Sequence, residues 1–187
     1  LDYKQHIFAA YASYGYKFSK LTLKAGTRLE YTLNRGLSKS ASGNITFDNS
    51  NFNIVPYFNA AWQIDPKNSL ALSYTRRLGR PSVSYLNPYI FEESPYSRAH
   101  GNPDLRTVVS DALTLTYRTG GDKWDLTART YGSLTGNKIE YLSAVGPDGV
   151  KVSTYKNAVK YKHIDQMLSF NWNPSDKFNL QTSAQVG

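Results

Sequence analysis

"LTLKAGTRLEYTL", Leu21 to Leu33, decides how the rest of the chain is read. Its odd positions are Leu21, Leu23, Ala25, Thr27, Leu29, Tyr31 and Leu33; its even positions are Thr22, Lys24, Gly26, Arg28, Glu30 and Thr32. Side chains on a β-strand switch faces at every step, so this stretch is a strand with one oily face and one charged face. The division recurs in "SLALSYTRR", where Leu70, Leu72 and Tyr74 oppose Ser73, Thr75 and Arg77. It recurs again in "WDLTARTYGSL", with Trp124, Leu126, Ala128 and Leu134 against Asp125, Thr127 and Arg129, and in "FNLQTSAQV". Helical spacing fits none of them.

Extended along the chain, this pattern predicts eight strands: Lys4 to Phe18, Leu21 to Asn34, Asn53 to Ile64, Ser69 to Arg77, Val108 to Thr119, Trp124 to Leu142, Val152 to Trp172 with bulges, and Phe178 to the end. Tight turns separate some of them, at "SK" after Phe18, "DPKN" from Asp65, "GGDK" from Gly120 and "NPSDK" from Asn173, all built from turn-favouring residues. Between these come long connections: "RGLSKSASGNITFDNSN", the stretch from Arg76 to Leu105, and a reach around "SAVGPDGVK". Short and long connections therefore alternate.

Composition narrows the class. The chain has 15 Tyr, 8 Phe and 3 Trp among many Thr, Ser and Asn, which favours strands. No apolar run approaches the ~18 residues of a membrane helix, but a membrane β-barrel carries apolar side chains only at alternate positions and is polar on average. The absence of cysteine removes disulfides, thiol chemistry and a zinc ribbon. A net charge of +8 could draw nucleic acid or anionic lipid; its cations are scattered along alternating strands, so no nucleic-acid partner is expected. "LDYKQHIFAA" has no signal-peptide pattern, and the chain stops in mid-pattern at "QTSAQVG", which reads as a fragment.

The large aromatics separate a membrane sheet from a soluble sandwich. Phe18, Trp62, Trp124, Trp172 and Phe178 lie within a few residues of tight turns and on the oily parity. A soluble core would hold such rings at strand middles; a bilayer interface favours them in a belt at one level. The expectation is an all-β, antiparallel transmembrane β-barrel sector of about eight strands, with short periplasmic turns, long extracellular loops and interface aromatics. Lys24, Arg28, Glu30, Arg77, Arg118, Asp125 and Arg129 then face the lumen, where charge is tolerated. Residues 1–187 read as part of one such barrel domain.

The residues become specific in "LSYTRRLGRPSVSYLNPYIF", "GNPDLRTVVSDALTLTY" and "YKNAV". Tyr74, Arg77, Arg80, Pro81, Leu86, Asn87, Pro88, Gly101, Asn102, Pro103, Leu105, Thr154, Tyr155 and Asn157 closely resemble ordered motifs in the carboxy-terminal half of the outer-membrane β-barrel family related to TonB-dependent receptors. "KLTLKAGTRLEY" is similar to that family's Gly-x-Arg-x-Glu strand. The resemblance covers the chain from about Leu21 onward. It implies a Gram-negative outer-membrane transporter barrel of ~22 strands, importing a nutrient such as a siderophore, glycan or peptide. Implied partners are outer-membrane lipid and lipopolysaccharide, with TonB and a surface lipoprotein acting through parts of the protein outside this chain. The plug, the TonB box and the terminal aromatic of such barrels are not in this sequence.

Two readings stand for the stretch from Arg76 to Leu105. Tyr85, Tyr89, Phe91, Tyr96, Arg98 and His100 offer flat rings and donors suited to ligand contact, while Arg80, Pro81, Asn87, Pro88, Gly101, Asn102 and Pro103 are explained by backbone chemistry. His163 and Asp165 share a face, but no nucleophile accompanies them, so an enzyme is not expected. His6 and His100 make no metal-ligand spacing with them, and "GPDG" at Gly146 is too short for a calcium loop; no metal or cofactor is expected. The alternatives to a transporter are a small pore or barrel enzyme, which lacks an upstream plug, and a soluble β-sandwich binding module, which would not require detergent.

Overall fold

The computed structural model describes residues 1–40 and 43–187. Ten strands form one sheet: β1 Asp2–Phe18, β2 Leu21–Ser40, β3 Gly43–Gln63, β4 Asn68–Gly79, β5 Phe91–Ser94, β6 Ser97–His100, β7 Val108–Gly121, β8 Trp124–Val145, β9 Lys151–Ser175 and β10 Phe178–Val186, with a single helical turn, α1, at Val83–Leu86. The eight long strands follow one another antiparallel, β1-β2-β3-β4-β7-β8-β9-β10. The sheet is open, with β1 at one edge; at the other, β10 borders the end of β9 and the β5–β6 hairpin borders its start.

The expected strands are all present, and three details differ. The stretch "RGLSKSASGNITFDNSN" is not a loop: β2 and β3 stay paired up to Ser40 opposite Gly43, while residues 41–42 at its tip lie outside the described residues. The connection around "SAVGPDGVK" shrinks likewise, because β8 runs to Val145 and β9 starts at Lys151. Beyond the oily band apolar residues no longer keep to one face, Leu37 and Leu142 lying on the oily side and Ile45, Phe47 and Tyr141 on the other, so the two-residue alternation that marks a strand fades although the backbone continues. The stretch from Arg76 to Leu105 is itself structured, carrying α1 and the β5–β6 hairpin. The expected bulge falls where β8 passes β9, around Asn137, whose φ is 56°, a conformation Asn tolerates.

Register fixes the faces, since residues directly paired across antiparallel strands project to the same side. Phe18, Leu21, Trp62, Leu70 and Tyr117 form one row; Leu29, Ile54, Leu72, Leu115, Leu126 and Leu168 lie on the same face. A second row, Phe8, Tyr31 and Phe52, stands ten residues from Phe18, Leu21 and Trp62, about 33 Å along a strand. Between the two rows the apolar face carries one ion pair, Arg76 with Asp111, closed by Tyr74 Oη donating to Asp111 at 2.6 Å. Beyond the second row the same face turns charged, at Lys4, Arg35 and Asp48.

Among the described residues no dry interior is shared by two layers. The buried hydrophobics are Phe47, Leu86, Leu105 and Val150, and three of these form a small cluster where the segment 80–107 meets the sheet. Leu29, Leu113, Leu115, Leu168 and Leu180 are each more than two-fifths exposed. That distribution does not match a soluble sandwich, which buries its apolar parity.

The short turns are self-contained. Asp65 accepts from the backbone N–H groups of Lys67 and Asn68 at 2.8 and 3.0 Å and from the Asn68 side chain, and these bonds, the Asn68 side chain first, hold its carboxyl below the usual range. A depressed folded pKa means the turn's contribution is present above the ordinary carboxylate value and is lost as pH falls through the depressed one.

Candidate functional site: a strap across the polar face

The polar face collects Lys24, Arg28, Glu30, Arg77, Arg118, Asp125 and Arg129; the register puts all seven on one side of the sheet. Phe18, Trp62, Trp124 and Trp172 stand on the opposite side, where Phe178 packs edge-on against Trp172 at 5.7 Å. The segment 80–107 crosses the polar face as a strap.

The strap's first anchor is electrostatic. Arg80, just past β4, donates through Nε to Glu30 Oε1 at 2.8 Å and pairs with it again through Nη2. Arg28 holds the other oxygen, Nη2 to Oε2 at 2.8 Å. Glu30 is 1% exposed, so its charge is tolerable only because both guanidinium groups meet it in directed, charge-assisted bonds.

The second anchor is a ladder of asparagines, Asn49, Asn51 and Asn53, at alternate positions of β3 and hence on one face. β4 stops pairing with β3 at Tyr57, next to Pro56, which has no N–H to offer a neighbour. The strap's last residues take up the vacated side. Asn49 Nδ2 donates to the carbonyls of Pro103 and Leu105 at 2.7 and 2.8 Å, Asn51 Oδ1 accepts from Thr107 N at 3.3 Å, and Asn53 Nδ2 reaches Thr107 Oγ1. Side-chain amides thus replace the ladder bonds a strand would have made.

The third anchor is β9. Asn102 Nδ2 donates to the carbonyl of Tyr155 at 3.0 Å, Asn157 exchanges bonds with the backbone of Arg106 at 2.8 and 3.0 Å, and Asn157 also bonds the bulge carbonyl of Asn137 at 2.6 Å. Tyr85 stacks on Tyr155 with ring centroids 4.2 Å apart, and β6 runs parallel to the start of β9. One segment that touches both β2 and β9, five strands apart in the sheet order, requires the sheet to curl toward its polar side.

Inside the strap, backbone meets backbone. Gly101 N donates to Asn87 O at 2.8 Å and Asn102 N to Tyr85 O at 2.6 Å; a Cβ at Gly101 would stand 2.5 to 2.8 Å from those same groups. Only glycine permits the approach. Gly101→Val should loosen the strap by about 1–3 kcal/mol, read as roughly tenfold faster proteolytic cutting between residues 88 and 100 in the inserted full-length protein.

The six expected ligand residues divide. Tyr85 and His100 support the strap: His100 Nδ1 lies 2.8 Å from the Gly101 carbonyl and 3.4 Å from Thr154 Oγ1. Tyr89, Phe91 and Arg98 gather at an open groove of about 710 Å³, completed by Ile45, Ile90 and Glu92, with Tyr89 and Phe91 edge-to-face at 4.8 Å. Tyr96 stands exposed beside the β5–β6 turn. His163 stacks with Tyr161, and Asp165 accepts from Gln185 Nε2 at 2.5 Å. The sequence reading missed the asparagine ladder, although "NSNFN" shows its i, i+2, i+4 spacing.

The sequence profile of the outer membrane protein beta-barrel family matches residues 1–187. The chain belongs to that family. It is a protein of the Gram-negative outer membrane, and the strap is a feature of a barrel wall. No curated protein sequence matches the chain. Among solved structures it is similar to the hemophore receptor HasR of Serratia marcescens, with a TM-score of 0.73 at 16% identity over 98% of this chain and 34% of that one. It is also similar to the copper transporter OprC, with a TM-score of 0.69 at 14% identity over 98% and 28% of the two chains. The ferric enterobactin receptor PfeA of Pseudomonas aeruginosa gives a TM-score of 0.63 at 15% identity over 89% and 26%. The chain spans about a third or less of these proteins, and at such identities the likeness concerns the fold.

Proposed function

We propose that this chain is a sector of the wall and outer mouth of a TonB-dependent receptor-like transporter, which binds a scarce nutrient outside the cell and passes it inward. The observation that carries the reading is the strap: a segment too polar for lipid, fixed across the polar face by the Arg28–Glu30–Arg80 cluster and displaying a groove of aromatic and charged side chains. A barrel that needed only a passive pore would gain nothing from obstructing its own lumen.

The apolar face supports the membrane half of the proposal. Its two aromatic rows stand ten residues apart, which is about 25 Å of height if strands tilt by ~40–45°, the height of an outer-membrane barrel's apolar band. That tilt follows from the sheet. Trp124 sits four residues nearer the turns than the row begun by Trp62, three strands away, a fall of about 13 Å along for about 14 Å across. The seven charged residues of the polar face then line the lumen, and the turns at Ser19, Asp65, Asp122 and Asp176 lie on the periplasmic side.

Tyr89, Phe91 and Arg98 are the proposed ligand contacts, with Tyr96 at the rim. HasR is a hemophore receptor seen with its hemophore and heme, OprC is a copper transporter and PfeA a ferric enterobactin receptor; for this chain the nutrient class extends to glycans and peptides. Energy would come from TonB, and the chemistry is transport without catalysis. The test is growth of a strain lacking the full-length gene on a panel of single iron, copper, glycan and peptide sources. Complementation with the Tyr89→Ala, Phe91→Ala, Arg98→Ala triple variant should restore barrel insertion but raise the required nutrient concentration at least about tenfold. A triple variant that grows like wild type on every source the parent uses would refute the groove, and loss of no source on deletion would refute uptake.

A further inference from the structure

The β5–β6 hairpin joins the sheet at the start of β9, and β5 is the outermost strand of that arm. The N–H and C=O groups along its outer edge therefore meet no other strand among the described residues. All four residues of β5 are exposed, Phe91 at 58%, and Ile90 just before it is 52% exposed. An open strand edge flanked by apolar side chains is a template on which a further strand can form.

The groove of about 710 Å³ follows this edge. Phe91 and Glu92, neighbours on β5, both line it, although consecutive side chains of a strand point to opposite faces. A groove reached from both faces runs past the strand's edge, and Tyr89 and Ile90 continue its wall. Glu93, at the bulge between the Glu92 and Ser94 rungs, accepts from Ser97 Oγ at 2.8 Å and does not line the groove.

Charge narrows what the groove can take. Glu92 and Arg98 are directly opposite across β5 and β6, so they share a face. Both are exposed, and neither is in an ion pair among the described residues. An anionic ferric catecholate would gain from Arg98 and be repelled by Glu92, while a neutral sugar would use neither charge. A peptide brings ammonium and carboxylate groups together with an extended main chain.

We infer that the groove holds a short peptide as an added strand, its main chain hydrogen-bonded to the outer edge of β5 and its charged groups facing Glu92 and Arg98. The four residues of β5 span about 13 Å, which suits a ligand of about four residues, with Tyr89 and Phe91 packing against its side chains. This inference rests on the reading of the groove as a transporter's ligand site and names the class of nutrient it takes.

The experiment offers the full-length protein in detergent an equimolar mixture of free-ended tetrapeptides of randomised sequence. Retained peptides are identified by mass spectrometry, and the most abundant is resynthesised in two forms, N-methylated at its second and fourth residues or at its third. An added strand aims alternate N–H groups at its neighbour, so one form should bind at least about tenfold more weakly and the other about as tightly as the parent. Only the ligand changes, so misfolding cannot mimic the result. Retention of no tetrapeptide, or equal binding by the two methylated forms, would overturn the added strand, and tighter binding of maltotetraose or of a ferric tris-catecholate complex would overturn the peptide class. Uptake is read separately: a strain lacking the gene that still grows on every source would refute transport while leaving the contrast between the two methylated forms in place.

Discussion

Glu30→Ala should open the strap. The carboxylate is 1% exposed and is the only group holding Arg80 to the sheet among the described residues, while Arg28 meets its second oxygen. Removing one partner of a buried ionic cluster costs about 3–5 kcal/mol; here Arg28 and Arg80 keep 48% and 34% of their side-chain exposure, so water recovers part of that and about 2–3 kcal/mol is expected. Arg80→Ala should cost less, because the Arg28–Glu30 pair survives it. The readout is limited proteolysis of the inserted full-length protein within residues 80–107, alongside the heat-dependent gel shift that reports an intact barrel. The expected order of cutting is Glu30→Ala, then Arg80→Ala, then wild type, with the barrel intact in all three. Wild-type resistance in Glu30→Ala would remove the cluster from the account.

Leu115→Arg should be the most damaging single change on the other side of the sheet. Leu115 is 42% exposed, pairs with Leu72 and Thr130, and lies near the middle of the apolar band. A guanidinium at the midplane costs about 2–4 kcal/mol. Thr114→Arg, one residue away on the polar face, should cost almost nothing because that side meets water. Urea titration of the full-length protein refolded into lipid vesicles measures both. Equal stability losses in the pair would mean that the faces do not differ as proposed.

Much of this was legible in the alternation. Leu23, Leu29, Leu72 and Leu126 share one face in the register as their parity requires, and the tight turns fall where Asp, Gly, Asn and Pro cluster. Three things escaped. The upward extensions of β2, β3, β8 and β9 mix polar and apolar side chains on both faces, so hydrophobic contrast could not mark them. The strap's course depends on partners more than forty residues distant, such as Glu30 for Arg80 and Asn49 for Leu105, and a local pattern holds no record of them. The motif residues Asn87, Gly101 and Asn102 were traceable to backbone chemistry, but which backbone group each would meet was not. Among the aromatics of the strap, nothing in the sequence separated Tyr85, which stacks on Tyr155, from Tyr89 and Phe91, which face the groove.

The central claim is that the oily parity faces acyl chains and the charged parity faces water. Because the chain has no cysteine, a thiol introduced at Leu29, Leu115, Lys24 or Arg129 is the only one in this segment, and a fluorophore on it can be challenged with nitroxide-labelled lipid or with aqueous iodide in the inserted full-length protein. Quenching by the lipid probe at positions 29 and 115 and by iodide at 24 and 129 is the predicted result. Iodide quenching at 29 and 115, with lipid quenching at 24 and 129, would contradict it.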